Sequence, residues 1–199
     1  MQDRKKDHIS LALASQKGME QKDNRFYYEP MLSGHPEGSL PETIIGKQKL
    51  KAPIWISSMT GGTSEAFKIN QNLASLAAEF GFGMGLGSCH ILIKNEKHLP
   101  DFDLRQIIGQ HLPFYANLGI AQIEQYIDKG DIQTLKDLVN LLKADGLIVH
   151  VNPMQEWLQP EGDQINHPPI VSIKALLEAV NFNIIVKEVA QGMETESLR

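Results

Sequence analysis

The sequence predicts an α/β protein, and three observations support that class. Short apolar runs that are typical of buried strands recur at residues 54–56, 83–87, 114–118, 146–151 and 184–189. Their first residues lie roughly 29 to 38 positions apart along the chain. The segments between them carry apolar residues at helical spacing. Strand, helix and strand in this order form the βαβ unit of a parallel sheet.

Three of the intervening segments show the helical pattern clearly. The apolar positions are Ile69, Leu73, Leu76, Ala77 and Phe80, then Leu135, Leu138, Leu141 and Leu142, then Ile173, Leu176, Leu177 and Val180. A (β/α)₈ TIM barrel uses roughly 31 residues for each unit, so the period favours a barrel over a doubly wound sheet, although periodicity by itself is compatible with both. We expect a polar N-terminal extension over residues 1–50. Residues 51–199 are expected to form the N-terminal part of a TIM barrel with five βα units, three short of closure.

Composition and charge narrow the function classes. A chain of 199 residues with 42% hydrophobic and 22% charged residues is typical of a globular protein that buries a core. The formal net charge of −5 argues against a broad nucleic-acid surface. No apolar run approaches the roughly 20 residues of a membrane span, and no signal peptide is visible. With a single cysteine, Cys89, these features predict a cytoplasmic protein without nucleic-acid or membrane partners.

The segment from His150 to Glu156 is the most informative stretch of the chain. His150 and Asn152 are two residues apart at the end of an apolar run, so both should face the same side of a strand. Pro153 is expected to stop that strand and to place Gln155 and Glu156 in the loop beyond. Ligands bind at the carboxyl ends of strands in α/β proteins. An imidazole, two amides and a carboxylate there suit an anionic substrate and a bound metal.

The other predicted strands also end in groups that can face a ligand. The first runs into a Gly61-Gly62 pair, which suits close approach of a ligand but is also common in simple turns. Cys89, after the second strand, is interpreted as a buried small residue and not as a nucleophile. Asn117 ends the third strand, where a turn role is the ordinary one. Lys187, within the fifth apolar run, requires an anion, a polarised ring or a structural ion pair.

Taken in order, these motifs resemble type 2 isopentenyl-diphosphate isomerases, a family built on a (β/α)₈ barrel. The matching elements are Arg4-Lys5 with His8, Ser58-Met59-Thr60-Gly61-Gly62, Leu86-Gly87-Ser88, Ala116-Asn117-Leu118-Gly119, His150-Val151-Asn152-Pro153-Met154-Gln155-Glu156 and Val186-Lys187-Glu188-Val189. The resemblance implies isomerisation of isopentenyl diphosphate to dimethylallyl diphosphate in isoprenoid biosynthesis. It also implies FMN and Mg²⁺ as cofactors, NADPH as the reductant that primes the flavin, and a homo-oligomer at full length.

The resemblance also assigns roles to individual residues. Gln155 is expected near the reacting carbons, as a catalytic and substrate-binding residue, and Glu156 as the Mg²⁺ ligand. The substrate diphosphate is assigned to Arg4, Lys5, Ser88, His90, His150 and Asn152. The flavin is assigned to Ser58, Met59, Thr60, Ser88, Asn117 and Lys187. The family commonly has Arg at the position of His90, so either diphosphate affinity is lower here or a neighbouring residue compensates.

Two alternatives remain open from the sequence. One is another FMN-dependent TIM-barrel oxidoreductase of the 2-hydroxy-acid oxidase type, which would not need the His150–Glu156 segment or the basic N-terminal residues Arg4 and Lys5. The other is a non-catalytic, truncated half-barrel. The phosphate of a flavin typically binds to loops after strands seven and eight of such barrels, and this sequence contains neither. We therefore expect the 199 residues alone to purify without flavin.

Overall fold

A computed structural model describes residues 29, 31–32, 34–35, 38, 42–58, 61–189 and 192–199. The chain divides into two compact units, Met1–Ser39 and Leu40–Arg199. In the first unit, the Leu32 amide donates to the Glu29 carbonyl at 3.0 Å. The helices and strands given below belong to the second unit. Arg4, Lys5, Met59 and Thr60 lie outside the described residues, so their assignments stay predictions.

An antiparallel hairpin opens the second unit. Strand β1 (Thr43–Ile45) pairs with β2 (Gln48–Leu50). Gly46 in the connecting turn has φ 60°, which a glycine adopts without strain. The Gln48 side-chain amide donates to Asp145 Oδ1 at 2.6 Å. The sequence predicted only a polar extension here, because two three-residue strands are too short to show an alternating pattern.

A parallel sheet of five strands follows the hairpin. Its strands are β3 (Trp55–Ile56), β4 (Gly83–Gly85), β5 (Phe114–Gly119), β6 (Gly146–Val151) and β7 (Asn183–Glu188). Each strand pairs with the next one in the chain, and the sheet curls into a half-barrel. A doubly wound sheet would reverse its strand order partway, and this sheet does not. The α/β class and the five predicted strands are therefore confirmed, as part of a barrel-like sheet.

Helices connect the strands. They are α1 (Ser64–Phe80), α2 (His90–Lys94), a 3₁₀ helix (Glu96–Asp101), α3 (Arg105–Ile108), α4 (Ile120–Asp128), α5 (Ile132–Leu141), α6 (Pro153–Leu158), α7 (Pro169–Ala179) and α8 (Thr195–Leu198). The first helix begins five residues before the predicted apolar pattern because the Thr63 hydroxyl caps it, accepting from the Ala66 amide at 3.1 Å. It ends at Gly81, whose φ of 72° is left-handed.

The structure corrects the prediction that Gln155 and Glu156 lie in a loop. Both belong to α6, which begins at Pro153 directly after β6. Proline has no amide hydrogen to donate, and the first residue of a helix does not need one. Pro153 therefore ends the strand, as expected, and also starts a helix.

The two faces of the sheet carry different residues. Ala116, Leu118, Leu147 and Val149 belong to the main apolar core. They share that core with residues of the surrounding helices, namely Ile123, Leu135, Leu138 and Leu176. The alternate residues of β5 and β6, among them Asn117 and His150, therefore project to the concave side of the half-barrel. No helix among the described residues is long and apolar enough to cross a membrane.

Candidate active site

The predicted site residues of the second unit gather at the carboxyl end of the curled sheet. In the register of β6 and β7, His150 lies directly beside Lys187. Asn117 on β5 pairs with Ile148, two residues before His150 on β6. Ser58 follows β3, and Asn152 follows β6. Parallel strands end at one edge of a sheet, so these side chains share one region on its concave side.

Four buried polar atoms in this region have no hydrogen-bond partner. Among the described residues they are Ser58 Oγ, Asn117 Oδ1, His150 Nε2 and Asn152 Oδ1. Asn117 and Asn152 are only 4% and 5% exposed. An unsatisfied buried polar group costs roughly 1–3 kcal/mol, so folded proteins rarely leave one without a purpose. All four residues were assigned to ligand binding from the sequence, and a polar ligand would satisfy their unpaired atoms.

Strand β4 contributes a glycine to the concave side. A Cβ at Gly85 would collide with the Ile148 side chain and would lie 2.8 Å from Ser58 Oγ. Glycine therefore allows Ser58 to lie against the sheet. Beyond this strand, Ser88 is exposed and His90 begins α2, half-buried. Burial first, then Lys94, lowers the pKa of His90, and nearby Asp163 opposes the shift.

His150 and Lys187 are basic side chains that lie side by side at the ends of β6 and β7. Burial, and secondly the Lys187 ammonium, lower the pKa of His150, while Glu156 and Glu188 act in the opposite direction. The imidazole is therefore neutral at pH 7. No carboxylate among the described residues forms an ion pair with Lys187. The structural ion pair considered for Lys187 is thus not found in that part of the chain, and its positive charge is available to an anion.

The lowered pKa of His150 predicts how stability changes with pH. The unfolded chain binds a proton to this imidazole more readily than the folded chain does. The free energy of unfolding should therefore decrease as the pH falls below the ordinary histidine value of about 6.5. Urea unfolding at pH 7.5 and at pH 5.5 measures how much stability is lost between the two pH values. This loss should be smaller in His150→Gln than in the parent. In the control His111→Gln, which changes an exposed histidine, the loss should equal that of the parent. Equal losses in the parent and His150→Gln would contradict this prediction.

Glu156 lies in a small hydrogen-bonded group with its neighbours. The Asn152 side-chain amide donates to Glu156 Oε1 at 2.7 Å and to Gln155 Oε1 at 3.4 Å. The backbone amide of Asp163 donates to Glu156 Oε2 at 2.8 Å. Each carboxylate oxygen has a second lone pair, so these bonds leave acceptor capacity for a cation.

A second cluster of side chains that could bind a metal is formed by two residues of α4 and one residue of the loop before α7. Ligand atoms of Glu124, Asp128 and His167 lie within 4.8 Å of one another. The Glu124 carboxylate accepts from the backbone amides of Asn166 and His167, at 2.7 and 3.1 Å. These hydrogen bonds hold the loop before α7 in place, so Glu124 has a structural role. Glu156, the residue predicted to bind metal, is not a member of this group.

Sequence reasoning missed a buried ion pair at the opposite end of the sheet. Arg105 Nη2 donates to Asp145 Oδ2 at 2.8 Å, and the Arg105 side chain is only 2% exposed. Its other nitrogens donate to the backbone carbonyls of Lys143, Gly109 and Leu112. Nothing in the local sequence distinguishes Arg105 from a surface arginine. This cluster lies before β5 and β6, where barrel residues serve stability.

Cys89 has the structural role that the sequence predicted. Its side chain is fully buried, and this burial raises the pKa of the thiol to about 12, against a smaller lowering effect of a backbone hydrogen bond at Asn117. A thiol with that pKa is not a nucleophile at neutral pH.

The chain is thus an α/β half-barrel with buried, unpaired polar atoms at the carboxyl ends of its strands. No family model matches the chain. Over 96% of its length the chain is similar to curated proteins named isopentenyl-diphosphate delta-isomerase. It is 36% identical over 201 residues to the relative from Rickettsia felis, 35% over 199 residues to that from Chlorobium chlorochromatii and 36% over 200 residues to that from Rickettsia akari. The chain spans 55%, 54% and 56% of these relatives, about half of each.

Proposed function

We propose that this chain supplies five βα units of a type 2, FMN-dependent isopentenyl-diphosphate delta-isomerase that interconverts isopentenyl and dimethylallyl diphosphates. The observation that carries the proposal is the group of buried, unpartnered polar atoms on Ser58, Asn117, His150 and Asn152. They lie at the edge of the sheet where barrel enzymes bind their ligands. The similarity to proteins named isopentenyl-diphosphate delta-isomerase supports the reaction. The same proposal includes a cytoplasmic location and a homo-oligomer at full length. It also includes NADPH as the reductant that primes the flavin.

The residues on the concave side fit a reduced flavin. Ser58 and Asn117 have buried polar atoms free to bond its ring, with Met59, Thr60 and Ser88 assigned beside them. Lys187 supplies a cation that forms no ion pair with a carboxylate of the described residues, which suits the negative charge of an anionic ring. When bound, FMN would supply both a proton donor and acceptor and an electron-rich face, which an allylic proton shift needs. The protein side chains would orient the ring and exclude water from it.

A second group of residues suits the substrate diphosphate and its metal. His150 and Asn152 lie beside Lys187 and Glu156 at the end of β6. Half-buried His90 and exposed Ser88 lie beyond β4, and Arg4 and Lys5 are assigned to the same diphosphate. Glu156 would hold Mg²⁺ through oxygens that retain acceptor capacity. A diphosphate beside the neutral His150 imidazole would favour its protonation, which adds a charge-assisted hydrogen bond.

The decisive experiment is an activity assay on a hybrid protein. The hybrid joins this chain to the part of the Rickettsia felis relative that the chain does not cover. After addition of FMN, Mg²⁺ and NADPH, it should retain flavin and convert isopentenyl diphosphate to dimethylallyl diphosphate. Oxidation of lactate instead would identify a 2-hydroxy-acid oxidase. A folded hybrid that binds no flavin would indicate a non-catalytic half-barrel.

Gln155 should affect turnover more than binding. It lies on α6 beside Asn152, and we assign its amide to the reacting carbons. In the hybrid, Gln155→Ala should lower kcat roughly 100-fold with little change in KM. Arg4→Ala and Lys5→Ala should instead raise KM. Gln159→Ala, at an exposed glutamine just after the same helix, is the matched control and should behave like the parent. A raised KM with unchanged kcat would make Gln155 a binding residue.

A further inference from the structure

The carboxylate of Glu156 is held from two directions. Asn152, directly after β6, donates to one of its oxygens at 2.7 Å, and the Asp163 backbone amide donates to the other at 2.8 Å. Asp163 belongs to the segment between α6 and α7, which we call the 159–168 loop. A glutamate side chain has several rotatable bonds, so bonds to both oxygens select one orientation of the carboxylate.

The 159–168 loop lies directly against the backbone of α6. A Cβ at Gly162 would overlap the carbonyl group of Glu156, so only glycine permits this approach. The Gly162 amide also donates to the Gln159 carbonyl at 3.1 Å. This close contact brings the next amide in the chain, that of Asp163, to the Glu156 carboxylate.

Two buried residues of α4 fasten the loop. The Gln122 side-chain amide donates to Asp163 Oδ2, and Gln122 is only 8% exposed. Two residues further along the helix, Glu124 accepts from the Asn166 backbone amide at 2.7 Å and from its side chain at 3.0 Å. The loop is therefore fixed to the body of the half-barrel on both sides of Gln164.

We propose that Gln122 and Asp163 are positioning residues, which orient the Glu156 carboxylate for a divalent cation through the 159–168 loop. This inference rests on the metal role given to Glu156 in the proposed function. Neither Gln122 nor the Asp163 side chain would touch the metal. Their contribution is that the carboxylate is already ordered when the cation and the diphosphate bind.

The test compares two glutamine variants of the 199-residue chain. Gln122→Met keeps the size of the side chain but removes its bond to Asp163. Gln133→Met removes a similar bond on the exposed face of α5, where Gln133 donates to Asp137 at 2.7 Å. Two quantities are measured, the hydrogen exchange rate of the Asp163 backbone amide and the affinity for Mn²⁺ in the presence of inorganic diphosphate. Asp163→Ala removes the same bond from the loop side, in case Gln122→Met does not fold.

We expect Gln122→Met to increase exchange at the Asp163 amide and to weaken Mn²⁺ binding roughly tenfold, while Gln133→Met changes neither. The loss of affinity should disappear when Glu156→Gln is already present, because the two residues act through one carboxylate. Unchanged exchange at Asp163 would overturn the proposal. The proposal would also be overturned if Gln122→Met increased exchange at Asp163 without weakening Mn²⁺ binding, while Glu156→Gln alone did weaken it. If Glu156→Gln itself leaves Mn²⁺ affinity unchanged, the metal assignment in the proposed function is the part that fails.

Discussion

Asp145→Ala is expected to destabilise the protein by about 3–5 kcal/mol, the loss typical of breaking a buried ion pair from one side. The Asp145 carboxylate accepts from Arg105 at 2.8 Å, from the Phe114 backbone amide at 2.9 Å and from Gln48 at 2.6 Å. Its removal leaves the Arg105 charge buried without a counter-ion and two further donors without an acceptor. The carboxylate joins the hairpin, α3, β5 and β6, so the loss should affect the whole second unit.

Urea unfolding at pH 7 measures this effect. The matched control is Glu42→Ala, which breaks the ion pair between Lys49 and Glu42, whose side chains are 59% and 66% exposed. Solvent screens an exposed pair, so that variant should lose less than about 1 kcal/mol. A similarly small loss in Asp145→Ala would show that the cluster is not a main source of stability.

The second large effect is expected at Glu156. In the hybrid protein, Glu156→Gln should lower Mg²⁺-dependent isomerase activity roughly 1000-fold, since a catalytic metal contributes several kcal/mol of charge stabilisation. The amide keeps the size of the side chain but loses its negative charge. It also has one oxygen in place of two, so either Asn152 or Asp163 loses its acceptor. Flavin binding should remain, because the residues assigned to the flavin lie on other elements.

Two measurements test this prediction. A titration of activity with Mg²⁺ tests the metal role of Glu156, and the flavin absorbance of the purified protein tests whether flavin binding remains. Glu161→Gln changes an exposed carboxylate in the 159–168 loop and serves as the control for charge alone. It should titrate like the parent protein. An unchanged Mg²⁺ dependence in Glu156→Gln would remove Glu156 from the metal site. Loss of flavin together with activity would instead indicate a general disturbance of the fold.

The sequence predicted the strands of the half-barrel well because their signal is local. The run 146–151 is apolar over most of its length, and β6 covers the same residues. The hairpin β1–β2 and helix α6 were missed because they are short, and Pro153 both ends a strand and starts a helix. The unpaired buried atoms of Ser58, Asn117, His150 and Asn152 belong to residues that the sequence had already selected. The roles of these residues remain proposals.

The α/β class, the order of the strands along the chain and the polar groups at the strand ends could all be predicted from the sequence. These properties follow from spacings of two to four residues and from single residues such as Pro153. Three contacts could not be predicted in this way: Arg105 pairs with Asp145, Gln122 donates to Asp163, and Gly162 lies against Glu156. The first two pairs join residues 40 and 41 positions apart. Such partners meet only because the helices and strands between them pack together, and no local pattern in the sequence records that packing.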